Sequence, residues 1–285
     1  MRIPLWATLF ALLSVTPASA ETLAELGQKT HYHGIAFART GSAALMIATH
    51  HGLYAVDKDG SVLRVSPVQD FMGFSPDPGN ELGLYASGHP ATGGNSGFLR
   101  STDGGSTWTQ LSPGVDGPVD FHQMDVSGVD PKVIYGSFGQ VQLSRDGGTN
   151  WEIAGDAPER LIALAASGLK AERVYAATEN GILVSEDAAA TWAPLAFAGE
   201  VVSTVQTGPD NALYAFVVGR GFMKASEETP SSWSLLTNDF GEGIPLHMAA
   251  NPKDSQNLVL TMQNNEVRES LDGGKSWRPF GQAGQ

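Results

Sequence analysis

A short motif that recurs about every 42 residues constrains this chain more than any other feature. The full copies have the form S-x-D-(G/A)-(G/A)-x-x-W, so that a tryptophan follows the serine by seven residues. They begin at Ser101, Ser144, Ser185 and Ser270; a degenerate copy begins at Ser226 and a remnant, D-K-D-G, at Asp57. Successive copies start 44, 43, 41, 41 and 44 residues apart. A fixed period of this length indicates a repeat architecture, in which each unit packs against its neighbours.

Each repeat contains four short segments rich in Val, Ile, Leu and Tyr, separated by Gly, Pro and Asp. This pattern is typical of β-strands joined by tight turns. Four strands in about 42 residues form one blade of a β-propeller. The sequence therefore predicts an all-β, six-bladed β-propeller, because too few residues precede position 30 for a seventh blade. The expected blades span 30–68, 69–117, 118–157, 158–198, 199–241 and 242–281.

The motif itself is predicted to be a turn between the third and fourth strands. Aspartate and hydroxyl side chains bond across such turns, glycine supplies positive φ, and the tryptophan ring is buried between adjacent sheets. A calcium or ligand loop is the alternative, but six almost identical ligand sites would be unusual. We therefore predict a structural role for Asp103, Trp108, Asp146, Trp151, Asp187, Trp192, Asp272 and Trp277.

The first 20 residues are interpreted as a signal peptide. Arg2 provides the positive region, residues 3–15 an apolar region too short to span a bilayer, and Ala18-Ser19-Ala20 a cleavage site. The mature chain, 21–285, is expected to be a single β-propeller domain, cleaved after Ala20 and located in the periplasm or secreted. No later segment is predicted to span a membrane. The chain ends soon after Phe280, so 22–26 is the one candidate for a strand that closes the ring.

Composition narrows the classes of partner. The chain has no cysteine, which excludes disulfides, thiol chemistry and cysteine metal sites. Its net charge of −13 argues against binding to nucleic acid, which needs a positive surface. Metal ions or cationic partners suit this charge better. We expect a monomer that binds a small ligand, a metal ion, a glycan or a periplasmic protein.

All seven histidines are predicted to lie on the face of the propeller opposite the motif turns. In a propeller blade, the start of the inner strand and the loop between the second and third strands lie on the same face. By this rule the histidines fall in blades six, one, two and three, which are neighbours around the central channel. The loop at 87–95 on this face is longer than its counterparts, and such loops often carry binding sites. The predicted ligand-binding face comprises His31, His33, His51, His89, His122, Met124 and His247.

Two kinds of chemistry fit this face. Imidazole is the commonest protein ligand of copper and zinc, and thioether suits Cu(I), so a metal site at His33, His89 and His122 is one hypothesis. Asp120 would orient one of these rings from behind. Asp70 and Asp120, on neighbouring blades, are instead the candidate catalytic carboxylates of a glycoside hydrolase, with His122 tuning them. Both hypotheses compete with the ordinary packing of histidine and methionine in a core.

The repeated pattern resembles that of the BNR/Asp-box proteins, which include sialidases, the sortilin propeller, photosystem II assembly factors and glycosyl-hydrolase-like exoproteins. The resemblance extends through nearly the whole mature chain, and it implies the fold rather than an activity. Three motifs are most similar to those of secreted bacterial exoproteins of the last group: H-x-H-G at 31–34, S-G-H-P at 87–90 and D-F-H-x-M at 120–124.

Sialidase activity is not expected, because such a site requires three converging arginines. The inner strands begin instead at His33, Asp70, His122, Ile162, Ser203 and Leu246, and only Arg160 lies near such a start. We favour a non-catalytic binding or assembly role in which the histidine-rich face holds a ligand such as copper or zinc. A glycosyl hydrolase acting on extracellular glycans and a protein–protein scaffold are the alternatives.

Overall fold

The computed structural model describes residues 20–282, and it confirms an all-β propeller of six blades. The predicted signal peptide lies outside the described residues, apart from Ala20 at its end. Each blade is an antiparallel sheet whose strands are connected in chain order, from the inner strand at the channel to the outer strand at the rim. Among the described residues, no helix is long and apolar enough to cross a membrane.

The first three blades contain thirteen strands and a short helix. Blade one comprises β1 (Glu21–Thr22), α1 (Leu23–Gly27), β2 (Tyr32–Phe37), β3 (Leu45–Thr49), β4 (Gly52–Val56) and β5 (Ser61–Arg64). Blade two comprises β6 (Asp70–Pro76), β7 (Leu84–His89), β8 (Phe98–Ser101) and β9 (Thr109–Ser112). Blade three comprises β10 (Gln123–Val126), β11 (Ile134–Phe138), β12 (Gln140–Ser144) and β13 (Glu152–Asp156).

The other three blades contain four strands each. Blade four comprises β14 (Leu161–Ala166), β15 (Val174–Thr178), β16 (Gly181–Ser185) and β17 (Ala193–Ala196). Blade five comprises β18 (Val202–Gly208), β19 (Ala212–Val217), β20 (Gly221–Ser226) and β21 (Thr229–Thr237). Blade six comprises β22 (Pro245–Asn251), β23 (Asp254–Met262), β24 (Val267–Ser270) and β25 (Arg278–Pro279). Every blade falls within its predicted bounds, except that blade one also gains β1 and α1.

The core consists of apolar layers between adjacent blades. Between blades two and three, for example, Trp151 contacts Phe98 and Phe121, with ring centroids 5.1 and 4.9 Å apart. The facing residue Gly148 lacks a side chain because a Cβ there would lie 2.0 Å from the Phe98 ring. Burial of such rings removes large apolar areas from water, and this is the main force that holds one blade against the next.

The four full copies of the motif form tight turns. In the first turn, the Asp103 carboxylate accepts hydrogen bonds from the Ser101 hydroxyl and from the backbone N–H and hydroxyl of Thr107, at 2.8, 2.9 and 2.6 Å. Equivalent bonds recur in the other three full turns, with the Asn150 side-chain amide donating in place of the hydroxyl in the second. The bonds from the Thr191 side chain and backbone hold the pKa of Asp187 at about 2. The chain's own donors therefore occupy these carboxylates, as a structural turn requires.

Ring closure differs from the expectation for residues 22–26. Leu23–Gly27 form the helix α1 rather than a closing strand, because Thr22 and Glu25 make reciprocal capping bonds that begin it. The two residues before it, β1, add a fifth strand to the rim of blade one. Blades one and six then meet without a shared sheet, through an apolar layer that includes Leu26 of the helix and Val267 of blade six.

Candidate functional site

The seven histidines all lie at the end of the propeller where the inner strands begin, which we call the histidine face. Each lies at or just before the start of an inner strand, or in or beside the loop between the second and third strands of a blade: His31, His33, His50, His51, His89, His122 and His247. The turns of the repeated motif lie at the opposite end, as the topology predicts. The antiparallel order of strands is therefore enough to gather these side chains at one mouth of the channel.

Three donors from blades one and two converge on one point. Nε2 of His33 lies 3.1 Å from Nδ1 of His50 and 3.9 Å from Oδ1 of Asp70. The Nδ1 atom of His50 is 3.2 Å from the same carboxylate oxygen. Among the described residues, this is the one group of three or more histidine, aspartate or glutamate ligand atoms that all lie within 4.8 Å of one another.

The local backbone explains why these residues meet. His33 is the extra residue of a β-bulge, since Tyr32 pairs with Thr49 and Gly34 with Ala48. Bulges redirect a side chain out of the regular alternation of a strand, and they are frequent beside functional sites. Asp70 is the first residue of the next inner strand, β6, so it faces the same channel mouth.

The separations of the three donors match those around a bound metal ion. A point equidistant from three atoms at these distances lies about 2.0 Å from each, which is the length of Zn–N and Zn–O bonds. Oδ1 of Asp70 is buried and accepts no hydrogen bond from the described residues. A buried carboxylate oxygen without a donor is costly, and a cation at this point would compensate it.

The electrostatics of His33 also suit a metal ligand. Its burial, and then the neighbouring His50, lower the pKa of His33 from 6.5 to about 3. The ring is therefore neutral at physiological pH and presents a lone pair, which is the form that binds a metal ion. The His50 side chain is 43% exposed, so the point between the donors remains open to solvent.

A second carboxylate on this face holds two other histidines. The buried Oδ2 of Asp120 lies 2.8 Å from Nε2 of His122 and 3.2 Å from Nε2 of His89. Nδ1 of His89 lies 2.9 Å from the backbone oxygen of Gly94. Both nitrogens of His89 thus face oxygen acceptors, whereas the Nδ1 of His122 makes no hydrogen bond among the described residues.

The predicted ligands therefore separate into two groups. His33, His89 and His122 do not belong to a single group of donors within 4.8 Å, and His33 instead joins His50 and Asp70. The other members of the predicted face do not reach this point. His31 approaches His50 edge-on with ring centroids 6.0 Å apart, His51 is exposed, Met124 is buried, and His247 lies 3.1 Å from the backbone oxygen of Tyr32.

The prediction from sequence assigned His51, and not its neighbour His50, to the ligand-binding face. A comparison within the chain could have found His50, because T-H-H-G at 49–52 matches T-E-N-G at 178–181. In both turns the threonine hydroxyl donates to the glycine carbonyl and accepts the N–H two residues later. The residue directly after the threonine then reaches the inner-strand start: Glu179 contacts Arg160, and His50 contacts His33.

The histidine face opens into a cavity along the propeller axis. The cavity has a volume of about 460 Å³ and runs from His33 and His122 to Arg39 and Pro252 at the opposite end. Its walls combine apolar side chains such as Met248 with a few polar ones. A cavity of this size and lining is typical of small-molecule sites.

Comparisons with known proteins show the fold and no closer relation. No protein-family model matches the chain, and no curated protein sequence matches it. Solved structures are similar to 88% of the chain. They include a GH74 enzyme from Niastella koreensis (17% identity, TM-score 0.63) and the GH74 xyloglucanase from Xanthomonas campestris (18%, 0.61). The chain spans 45% of the length of each of these two proteins.

A second group of similar structures has almost the same length as this chain. YCF48 bound to D1 peptide is 16% identical with a TM-score of 0.56, over 88% of this chain and 82% of that one. YCF48 from Cyanidioschyzon merolae is 15% identical with a TM-score of 0.54, over 88% and 84%. At these identities, the likeness to either group establishes the β-propeller fold alone.

Proposed function

We propose that this protein binds one transition-metal ion, Cu(II) or Zn(II), on its histidine face through His33, His50 and Asp70. The observation that carries the proposal is the triangle of three donors whose common centre lies about 2.0 Å from each. Two imidazoles and one carboxylate suit both metals, and the usual order of stabilities favours copper over zinc. The absence of cysteine leaves nitrogen and oxygen as the main ligand chemistry.

This set replaces the ligand set expected from the sequence, His33, His89 and His122. His89 would have to break its contacts with Asp120 and Gly94 to bind an ion. His122 could bind through Nδ1, but it lies outside the converging group. We retain the remaining expectations as part of the proposal: a periplasmic or secreted protein, a member of the Asp-box proteins, with a binding or assembly role.

Two alternative functions each have one supporting observation. The likeness to GH74 enzymes favours a glycoside hydrolase with Asp70 and Asp120 as its carboxylates. Histidine nitrogens lie 3.2 Å from Oδ1 of Asp70 and 2.8 Å from Oδ2 of Asp120, however, and a protonated histidine at either contact would favour the ionised carboxylate over the protonated form that a general acid requires. The likeness to YCF48 bound to a peptide favours a scaffold for a protein partner, and such a role is compatible with a bound metal ion.

Metal content and affinity test the proposal. Residues 21–285, purified without a His tag, should contain or take up one Cu(II) or Zn(II) per chain by elemental mass spectrometry and calorimetry. His50→Gln and Asp70→Asn should each weaken metal binding by at least about 100-fold. Loss of a residue that only hydrogen-bonds to a metal ligand already costs up to about 100-fold in affinity, and loss of a ligand should cost no less. His51→Gln is the matched control, because this neighbouring ring is exposed and should leave affinity unchanged.

Two results would contradict the assignment. If His51→Gln weakened binding as much as His50→Gln, the ion would not be held at the point between His33, His50 and Asp70. If the wild-type protein took up neither metal, the histidine face would have to serve a glycan or a protein partner instead.

A further inference from the structure

An apolar groove lies at the edge of the histidine face, between blades two and three, with a volume of about 260 Å³. One wall is the loop from β9 to β10, through Val115 and Pro118. The other wall belongs to blade three and contains Phe138 and Ile153. Gln142 of β12 also lines the groove, and its side-chain oxygen accepts the Val115 N–H at 2.9 Å. This bond fixes the loop wall against blade three.

The apolar side chains of the groove are open to solvent. Phe138 is 45% exposed and Ile153 is 41% exposed. Among the described residues, Phe138 is the one exposed side chain of all the phenylalanines, tyrosines and tryptophans. Exposed apolar side chains that border a concave surface mark places where another molecule binds. The groove is smaller than the roughly 300–1,000 Å³ of sites for free small molecules, so it suits one side chain of a larger partner.

Carboxylates border the groove on both walls. Asp116 lies in the loop wall. Asp156, at the end of the outer strand β13, accepts a hydrogen bond at 2.9 Å from the side chain of Gln140, which itself lines the groove. Both carboxylates are exposed, and so is Glu159 in the loop that follows β13. The apolar groove is therefore flanked by negative charge.

These three carboxylates form no ion pair with a lysine or arginine among the described residues. Arg145 pairs with Glu152 at 3.6 Å, and Arg160, the residue after Glu159, pairs with Glu179 at 3.7 Å. Their charge is thus available to a partner, in a protein whose net charge is −13. Opposite charges around an apolar contact favour the matching partner and speed its encounter.

We propose that this groove docks a basic segment of another protein. One apolar side chain of the segment enters between Phe138 and Ile153, and it contributes most of the affinity. Lysines or arginines before and after this side chain face Asp116 and Asp156, and they contribute specificity. The groove shares no residue with the proposed metal site, and docking does not require the ion.

Calorimetric titration of residues 21–285 with the peptide Ac-GKRLKRG-NH2 tests the proposal. The peptides Ac-GKRSKRG-NH2 and Ac-GQQLQQG-NH2, which lack the apolar side chain and the charges respectively, should each bind at least about tenfold more weakly. Phe138→Ser should also weaken binding by about tenfold or more, as loss of a central apolar contact commonly does. Asp116→Asn and Asp156→Asn should each weaken it by about 2–5-fold, the effect of one exposed ion pair.

Two variants control for polarity and net charge. Leu235→Ser removes an apolar side chain that is 52% exposed on the outer strand β21 of blade five. Glu228→Gln removes an exposed carboxylate beside the degenerate copy of the motif, at the opposite end of the propeller. Both variants should bind Ac-GKRLKRG-NH2 as the wild type does. The substituted positions are exposed, so the midpoint of urea unfolding should change little in any variant.

Other outcomes would overturn the proposal. If the wild-type protein does not bind Ac-GKRLKRG-NH2, or if Phe138→Ser binds it equally well, the groove is not a docking site for a basic segment. Equal weakening by Glu228→Gln and Asp116→Asn would show general attraction of a cation to an acidic protein rather than recognition at the groove. Equal binding of the serine peptide would show that no apolar side chain enters between Phe138 and Ile153.

Discussion

Single side chains of the repeated motif contribute to stability without contributing to the site. The Trp151 indole packs between Phe98 and Phe121, and its N–H donates to the Ser112 hydroxyl at 2.9 Å. Trp192 and Trp233 occupy the same motif position, but their indole nitrogens have no hydrogen-bond partner among the described residues. Trp151 is therefore held by one more side-chain hydrogen bond than Trp192 or Trp233. All of these rings lie at the end of the blade opposite the histidine face.

Trp151→Ala should lower the free energy of unfolding by about 3–5 kcal/mol, because it removes a large ring from the interface between blades two and three. Metal affinity should remain that of the wild type. Urea denaturation and calorimetry measure the two quantities. Ile153→Ala, at a position 41% exposed on the outer strand β13 that begins directly after Trp151, is the control and should cost less than about 1 kcal/mol. A comparable loss in both variants would show that the ring is not a core group.

At this scale, the sequence predicted the neighbourhood of the site but not the exact set of contacts. The gathering of seven histidines on one face follows from strand order, which the repeat encodes. Which rings meet depends on side-chain direction: the bulge turns His33 into the mouth, and the T-x-x-G turn directs His50 rather than His51. Neither direction follows from the period of the repeat. Asp70 and Asp120 were identified as carboxylates of the site, but their histidine partners depend on contacts between strands.

Strands of neighbouring blades are joined by buried and half-buried polar groups as well as by apolar layers. Asp125 of β10 accepts the Ala166 N–H of β14 at 2.8 Å and the Ser75 hydroxyl of β6 at 3.2 Å. Glu227 similarly accepts the Gly168 N–H and the Tyr175 hydroxyl of blade four. Glu227 belongs to the degenerate copy of the motif that begins at Ser226. The motif pattern does not predict this contact, because the partners of Glu227 come from another repeat.

The pH dependence of stability tests the role of Asp125. Burial raises the pKa of this carboxyl from 3.8 to about 6, despite the hydrogen bonds that oppose the shift. The folded state therefore holds this proton more tightly than the unfolded state. The resulting stability is fully present below pH 3.8, and it is lost as the pH rises through about 6. The loss should amount to roughly 3 kcal/mol, since each pKa unit corresponds to about 1.4 kcal/mol.

Asp125→Asn cannot ionise, so the slope contributed by this residue should disappear between pH 4 and 6. Urea denaturation of both proteins across this range measures the difference in slope. The amide keeps only one of the two acceptor oxygens, but the resulting change in stability is the same at all these pH values and does not affect the comparison of slopes. Identical slopes in the two proteins would show that Asp125 ionises normally in the fold.

For the molecule as a whole, the open question from the sequence was how the ring closes. The repeats predict six blades, but they do not specify the contact between the last blade and the first. In the structure, α1 fills the rim between them: Leu26 is 1% exposed, and the Asn265 side-chain amide of blade six donates to the backbone oxygen of Gly27 at 2.8 Å. A helix of five residues has too few positions to show a helical period. The one sequence signal that distinguishes it from a short strand is the capping pattern T-x-x-E at 22–25.

If α1 closes the ring, Leu26→Ala should destabilise the whole propeller rather than fray one end. We expect a loss of about 2–5 kcal/mol, the usual range for a buried leucine, in a single cooperative urea transition. Leu63→Ala is the matched control because Leu63, on the neighbouring rim strand β5, is 69% exposed; its effect should stay within about 0.5 kcal/mol. A new early transition in Leu26→Ala would mean that α1 unfolds on its own. An unchanged midpoint would mean that the direct contact between blades one and six closes the ring without the helix.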